Sequence, residues 1–136
     1  MTKINVITAP DILYNQSLSF LLVHPSIDVK GQFSNLLQNF VIPTNVYLFE
    51  DTEDEDTPID YNWLFQVGSQ VDYIIVDVDN CNVLTKNLIG YFLSLPKTFY
   101  LTNDEETPYN KISINRIYNL DWLYDEIVKE PNEENA

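Results

Sequence analysis

One short segment, Val71-Asp72-Tyr73-Ile74-Ile75-Val76-Asp77, limits the possible folds of the chain more than any other. Its core is a continuous apolar run. Strands with one solvated face alternate apolar and polar residues, whereas a continuous run is typical of a central parallel strand covered on both faces. The segment therefore predicts a parallel sheet with helices on each side.

Strand-like and helix-like segments alternate around this central strand. The sequence predicts further strands at residues 3–8, 45–50, 98–102 and, as an edge strand, 112–118. Apolar residues at helical spacing predict helices near residues 33–41, 61–70, 84–92 and 120–127. The apolar run at residues 18–23 fits a helix or a buried strand, and we favour a helix. The alternation predicts an α/β fold of three layers, with a mostly parallel sheet and helices on both faces.

Length and composition indicate one folded domain. The 136 residues match a common domain size, and 45% of them are hydrophobic, enough for a real core despite a net charge of −14. We expect a single α/β domain over residues 1–129, followed by a flexible acidic tail over residues 130–136.

The charges are distributed unevenly. The 55 residues from Gly31 to Thr85 contain no Lys, Arg or His but ten carboxylates, namely Glu50, Asp51, Glu53, Asp54, Glu55, Asp56, Asp60, Asp72, Asp77 and Asp79. Such a segment repels nucleic acid and attracts cations or basic protein surfaces. The sequence therefore predicts a basic protein surface as partner and no direct binding of nucleic acid.

Part of the acidic segment has the charge density of a docking surface. Residues 50–60 read as a loop between a strand and a helix, and an aromatic residue that could anchor an interface follows it. The predicted partner-binding residues are Glu50, Asp51, Glu53, Asp54, Glu55, Asp56, Asp60 and Trp63.

Other classes of function find little support in the sequence. No apolar stretch approaches the ~20 residues that span a bilayer, so we expect no membrane association. The single cysteine, Cys81, indicates a reducing compartment, and we expect a cytoplasmic protein. None of the three glycines follows a strand, so no nucleotide cofactor is expected, and the single histidine, His24, is interpreted as structural.

Two carboxylates, Asp77 and Asp79, follow the central strand, at the edge where parallel sheets place their functional residues. Hard oxygen ligands suit Mg²⁺ or Ca²⁺, so these two are the candidate metal ligands. The motif Asp77-Val78-Asp79 is similar to the nucleophile motif of haloacid dehalogenases, although no matching lysine and acidic pair follow at a suitable distance.

Residues 71–79, together with Leu101-Thr102, resemble the phosphoacceptor strand and a later strand of response-regulator receiver domains. The resemblance implies a flavodoxin-like topology, with Asp77 as the phosphoacceptor and Thr102 as the switch residue. Two features depart from that family: the first predicted strand runs into Ala9-Pro10-Asp11 without an acidic pair, and Lys111 precedes the last predicted strand. The resemblance therefore implies a degenerate receiver-like domain rather than an active phosphoacceptor.

Three hypotheses of function follow. The first is a non-catalytic acidic domain that docks on a basic partner, as an inhibitor, adaptor or nucleic-acid mimic would. The second is a Mg²⁺-dependent phospho-switch or small hydrolase that uses the strand-end carboxylates. The third is a structural subunit of a homo-oligomer. The composition also resembles that of small accessory proteins of tailed phages, and the oligomeric state stays open.

Overall fold

The computed structural model describes residues 4–8, 11–12, 18–38, 43–50, 61–81, 83–113, 115–118, 120 and 123. The strands are β1 (Ile4–Ile7), β2 (Leu18–Val23), β3 (Thr44–Phe49), β4 (Tyr73–Asp77) and β5 (Thr98–Leu101). The α-helices are α1 (Ile27–Leu37), α2 (Tyr61–Gln70) and α3 (Val83–Leu93), and short 3₁₀ helices span Val78–Asn80 and Pro108–Lys111. Among the described residues, no helix has the length and apolar composition needed to cross a membrane.

The five described strands form one sheet in the order β1-β3-β2-β4-β5. Every pair of neighbours is parallel. Strand β2 lies at the centre, where its residues pair with β3 on one side and β4 on the other. The predicted α/β fold with a mostly parallel sheet is confirmed.

Helices cover both faces of this sheet. Leu21 and Val23 of β2 point to the face that packs against α2 and α3. Phe20 and Leu22 point to the opposite face, which packs against α1 and against Leu120 and Leu123. Because both faces are covered, the successive residues 20–23 of β2 and 74–77 of β4 are buried, and this explains the continuous apolar runs. The three-layer prediction is therefore confirmed.

The helix favoured for residues 18–23 is wrong, because this segment is β2. An apolar run buried on two faces of a parallel sheet lacks the alternation that identifies a half-buried strand. Its strand conformation is fixed by pairing with β3 and β4, which are distant in sequence. This error has a consequence for the site, because β2 is the strand that pairs with β4 on the side of the cleft.

The other predicted elements agree with the structure in most places. Helix α1 begins earlier than its apolar stripe predicted, because Ser26 caps it at Ile27. In place of an edge strand at residues 112–118, the described residues show a single parallel bridge between Tyr100 and Arg116. Leu120 and Leu123 of the predicted last helix are buried in the core. Residues 124–136 lie outside the described ranges, so the domain end at residue 129 and the flexible tail stay predictions.

A glycine allows α2 and α3 to approach each other closely. A Cβ atom at Gly68 would lie 2.8 Å from Cε1 of Phe92 on α3, closer than real Cβ contacts allow. The ring of Phe92 is fully buried and has little room to move. This contact explains a glycine in the interior of a helix, where it costs conformational entropy.

Candidate functional site

A cleft of about 360 Å³ lies at the carboxyl edge of the sheet, where the ends of β2, β4 and β5 meet. From β2 the chain passes through α1 to β3 on one side, and then through α2 to β4 on the other side of β2. Such a reversal of strand order opens a crevice at the strand ends, and ligands of open α/β sheets bind there. The cleft is lined by Ser26, Asp28, Val29, Gln32, Asp77, Asp79, Asn80, Leu101, Thr102, Asn103, Glu105, Ile117 and Tyr118.

The end of β2 is held by a buried histidine. His24 has a positive φ of 50°, which is uncommon for a residue with a side chain. Its backbone N–H donates to the carbonyl of Phe49 (2.8 Å), and its carbonyl accepts from Asn80 Nδ2 (2.8 Å). Its Nε2 lies 2.9 Å from Thr85 Oγ1. His24 therefore connects the ends of β2, β3 and β4 with α3, in agreement with its structural interpretation.

Two residues further on, Ser26 connects the start of α1 with Asp77. The hydroxyl of Ser26 accepts from the backbone N–H of Val29 (3.2 Å) and caps the helix. The backbone N–H of Ser26 donates to Asp77 Oδ2 (3.0 Å). Asp77 is buried, with 7% of its surface exposed. A carboxylate with so little water contact requires such a donor, so Asp77 helps to fix α1 against β4.

The second carboxylate, Asp79, holds the loop that follows β5. Asp79 Oδ1 accepts from the hydroxyl of Thr102 (2.8 Å), and its Oδ2 accepts from the backbone N–H of Asn103 (2.6 Å). The hydroxyl oxygen of Thr102 in turn accepts from the backbone N–H of Asp104 (3.1 Å). Asp79 thus positions one wall of the cleft.

Arg116 also supports this wall of the cleft, through the loop that follows β5. Its side chain is only 10% exposed; Nη2 donates to the carbonyl of Thr102 (2.9 Å), and Nη1 lies 3.5 Å from Glu105 Oε2. The guanidinium carbon is 5.1 Å from the ring centroid of Tyr118, at cation–π distance. Arg116 contacts three residues of the cleft lining and partly balances the charge of Glu105.

The lining of the cleft is acidic. It includes four carboxylates, from Asp28, Asp77, Asp79 and Glu105, and no basic side chain among the described residues. Low-dielectric walls concentrate a field of one sign inside a cleft. The arrangement therefore favours cationic groups and disfavours phosphates.

The third carboxylate next to β4 is Asp72, which precedes the strand and therefore lies at the amino edge of the sheet, opposite the cleft. Its Oδ2 accepts from the backbone N–H (2.9 Å) and the hydroxyl (3.2 Å) of Ser19. Nearby, Lys97 Nζ donates to the carbonyl of Val71 (2.9 Å). Partial burial lowers the pKa of Lys97, and the charge of Asp72 opposes this shift. These groups tie β2, β4 and β5 together at their amino ends, away from the cleft.

The predicted docking residues are only partly described. Asp51, Glu53, Asp54, Glu55, Asp56 and Asp60 lie outside the described residues. Glu50 forms an ion pair with Lys30. The side chain of Trp63 lies in the core, 2% exposed, and its Nε1 donates to the carbonyl of Asp11 (2.8 Å). Trp63 therefore packs inside the domain rather than on a surface.

The candidate metal ligands, Asp77 and Asp79, line the same cleft, as expected from their place after β4. Within the described part of the chain, no group of three or more His, Cys, Asp or Glu residues is placed to hold a metal ion. Both carboxylates instead accept hydrogen bonds from the protein itself.

The sequence interpretation missed the contributions of Ser26, Asp28, Glu105 and Arg116 to the cleft. Strand β4 lies between β2 and β5, so the backbone that follows β2 reaches Asp77 through the N–H of Ser26. A strand assignment for residues 18–23 would have revealed Ser26 and Asp28, because the residues at the carboxyl edge are those that follow a strand. No local signal marks Glu105 or Arg116, which reach the cleft through a loop and a single bridge.

No protein-family model matches the chain, and no curated protein is significantly similar to it.

Proposed function

We propose that the chain is a non-catalytic protein-interaction domain that binds a basic surface of a partner protein, with the cleft as its binding site. The observation that carries this proposal is the cleft lining, which holds four carboxylates and, in the described part of the chain, no basic side chain. The cleft also lies where open α/β sheets bind their ligands. A Lys or Arg side chain of the partner supplies the matching charge.

The surroundings of the cleft suit a protein partner. Ile27 lies between two lining residues and is 89% exposed, and Tyr118, on the opposite side of the lining, is 62% exposed. Large apolar side chains beside buried charge are typical anchors of interfaces. The partner surface would place a cation in the cleft and apolar neighbours against Ile27 and Tyr118.

A binding role explains why the polar groups near the cleft are already engaged. Asp77 and Asp79 accept from Ser26, Thr102 and Asn103. The ring of His24 is buried beside Thr85, and Cys81 Sγ donates to the carbonyl of Asp77 (3.3 Å). Groups that hold the fold also fix the walls of the cleft before a partner binds, and such preorganisation lowers the entropic cost of binding.

The acidic sequence of residues 51–60 is the second part of this proposal. Its carboxylates add to the net charge of −14 and increase the rate at which a basic partner approaches. The cleft then supplies the specific contacts. The single cysteine supports a role in the reducing environment of the cytoplasm.

The test is calorimetric titration with a hexa-arginine peptide as a probe of cation binding. The double variant Asp28→Asn/Glu105→Gln removes two cleft charges without touching the bonds of Asp77 or Asp79. We expect affinity to fall roughly tenfold at low salt, because each exposed pair contributes up to about 1 kcal/mol. Affinity of the unaltered chain should also fall as salt rises.

The matched control is Asp11→Asn/Glu106→Gln, which removes the same number of charges from exposed positions outside the lining. We expect it to change affinity by less than about twofold, as surface charges away from a contact do. An equal loss in both double variants would show a general attraction to an acidic protein, and would contradict a specific role of the cleft.

A second candidate function is a Mg²⁺-dependent phospho-switch. It is favoured by the register that pairs Asp77 with Leu101, which brings Asp77 and Thr102 to adjacent strand ends in one cleft. The order β3-β2-β4-β5 also supports a flavodoxin-like relation, since it matches the start of the 2-1-3-4-5 order when β2 counts as the first strand. Against it, β2 runs into His24-Pro25 rather than an acidic pair.

Mg²⁺ titration separates the two candidates. The phospho-switch requires stoichiometric heat of Mg²⁺ binding in the unaltered chain and its loss in Asp77→Asn. The interaction domain requires no such site. If the Asp77→Asn variant removes a saturable Mg²⁺ signal, the non-catalytic proposal is wrong.

A further inference from the structure

An apolar groove of about 390 Å³ lies on the other side of α1 from the cleft. Its floor is formed by Val6, Leu22, Val46 and Leu48 of three neighbouring strands, and its wall by Phe33 and Leu37 of α1. Val6 of β1 and the side chains of α1 lie on opposite borders of the groove. It belongs to no part of the proposed cation-binding cleft.

Strand β1 forms the border of this groove and the edge of the sheet. Among the described residues it pairs only with β3. Half of the backbone groups of an edge strand point away from the sheet and can accept another strand. Val6, in the middle of β1, is 65% exposed, which is high for a β-branched residue beside an apolar groove. In the part of the chain that the structure describes, no strand pairs with the outer side of β1, and this edge is contiguous with the groove through Val6.

This surface is nearly free of charge in a strongly acidic chain. Residues 4–7 contain no charged side chain, and the charged residue of the groove lining, Lys30, is paired with Glu50. Two copies that each carry a net charge of −14 repel one another over most approaches. At the neutral β1 edge they can meet with little local repulsion, so the surface suits a second copy of the same chain.

We propose that two copies of the chain associate through their β1 edges, antiparallel, about a two-fold axis perpendicular to the sheet. Such a contact is self-complementary, as two-fold interfaces must be. When Val6 lies opposite Val6 of the second copy, both side chains point to the same face of the joined sheet. Both grooves then flank the axis on that face, and each Val6 covers apolar surface of the other copy.

The proposal is independent of the function of the cleft. The cleft lies between β2 and β4, two strands away from β1, and stays open in this dimer. The dimer would present two clefts to a partner, which increases the apparent affinity for a partner with repeated basic sites. Because β1 is only four residues long, the contact is small. We expect association in the micromolar range.

Sedimentation velocity over a range of micromolar concentrations tests the dimer. We expect the unaltered chain to shift from monomer to dimer, and Val6→Lys to raise the dissociation constant at least about tenfold by placing a charge at the axis. The control Ile112→Lys makes the same change of charge at a 49% exposed apolar residue outside β1 and the groove, and should leave association unchanged. Circular dichroism confirms that each variant is folded.

A chain that stays monomeric at every concentration, or a dimer that Val6→Lys leaves intact, overturns the proposal. A dimer that both lysine variants weaken equally also overturns it, because the effect would then not depend on β1. The salt dependence distinguishes failure of the dimer proposal from failure of the proposed function of the cleft. Added salt screens repulsion between the acidic copies and should strengthen the dimer, whereas it should weaken binding of the arginine peptide.

Discussion

The cleft and the groove have similar volumes, about 360 and 390 Å³, and opposite chemistry. The cleft lies at the carboxyl edge, where strands end in polar loops, and carboxylates line it. The groove lies on a face of the sheet, between α1 and the strands β1, β3 and β2, and mostly apolar side chains line it. The size of a concavity therefore says little about its ligand, whereas its position in the sheet decides which side chains line it.

The two concavities are also held together by different forces. The cleft walls depend on hydrogen bonds, from Ser26 to Asp77 and from Thr102 and Asn103 to Asp79. The groove wall consists of core residues of α1, Phe33 and Leu37, which are 3% and 4% exposed. Loss of a core side chain costs more than loss of an exposed hydrogen bond. Substitutions in the groove wall should therefore lower the free energy of unfolding more than those in the cleft wall. The effects of substitutions in the cleft wall should stay local.

The largest effect is expected in the groove wall. Phe33 packs edge-to-face against Phe20, with ring centroids 5.1 Å apart. Phe33→Ala should lower the free energy of unfolding by about 3–5 kcal/mol, because it leaves a cavity in the core. Urea denaturation measures the loss, and the exposed neighbour Ser34→Ala should change stability by less than about 0.5 kcal/mol. A loss below about 1 kcal/mol for Phe33→Ala would mean that the groove wall is not part of the core.

A smaller and more local effect is expected in the cleft wall. Asp79→Ala removes the acceptor of Thr102 and Asn103 and should lower the free energy of unfolding by about 1–2 kcal/mol. Hydrogen exchange at the Asn103 amide should become faster, while amides of β4 keep their protection. Asp79→Asn retains one acceptor oxygen and should show part of the effect.

The control for the cleft wall is Glu106→Ala, an exposed carboxylate of the same loop. It should leave the exchange of Asn103 unchanged. If Asp79→Ala were as destabilising as Phe33→Ala, the distinction between hydrogen-bonded and packed walls would not hold.

The smallest effect is expected for the hydroxyl of Tyr100, a titratable group on β5. The buried hydroxyl of Tyr100 donates to Asn110 Oδ1 (2.6 Å) and also lies 3.1 Å from the carbonyl of Ser113. Burial raises the pKa of Tyr100 above its ordinary value of 10.0, and the nearby Arg116 partly opposes the shift. Near pH 8, Tyr100→Phe should be less stable than the unaltered chain by about 1 kcal/mol.

The sign of the pH dependence follows from the raised pKa. As pH rises, the unfolded chain loses the Tyr100 proton first, so the folded chain binds more protons and its stability falls. The advantage of the unaltered chain over Tyr100→Phe is therefore complete below pH 10.0 and decreases as pH rises further. Urea denaturation near pH 8 and above pH 10.0 measures the difference in free energy of unfolding between the two chains. A difference that stays constant over these conditions would contradict the raised pKa of Tyr100.

Much of the fold could be predicted because its signals are local. The apolar run before Asp77 predicts a doubly covered strand, and the stripe in α1 and the apolar spacing in α2 predict helices. The helix favoured for residues 18–23 is wrong, since a mostly apolar run has no period that separates a helix from a buried strand. The place of Asp77 and Asp79 at the carboxyl edge was predictable because they directly follow a parallel strand, but their hydrogen-bond donors were not.

The sequence by itself determined the α/β class, the acidic charge and the carboxylates at the end of β4, since each depends on composition or on neighbours along the chain. Only the tertiary structure decided that β2 lies beside β4, that Arg116 supports the cleft wall, that Trp63 is buried and that β1 is the outermost of the described strands. The physical reason is that parallel strands pair across long separations in sequence. Their pairing is selected by the packing of both faces at once, and no local window of residues contains that information.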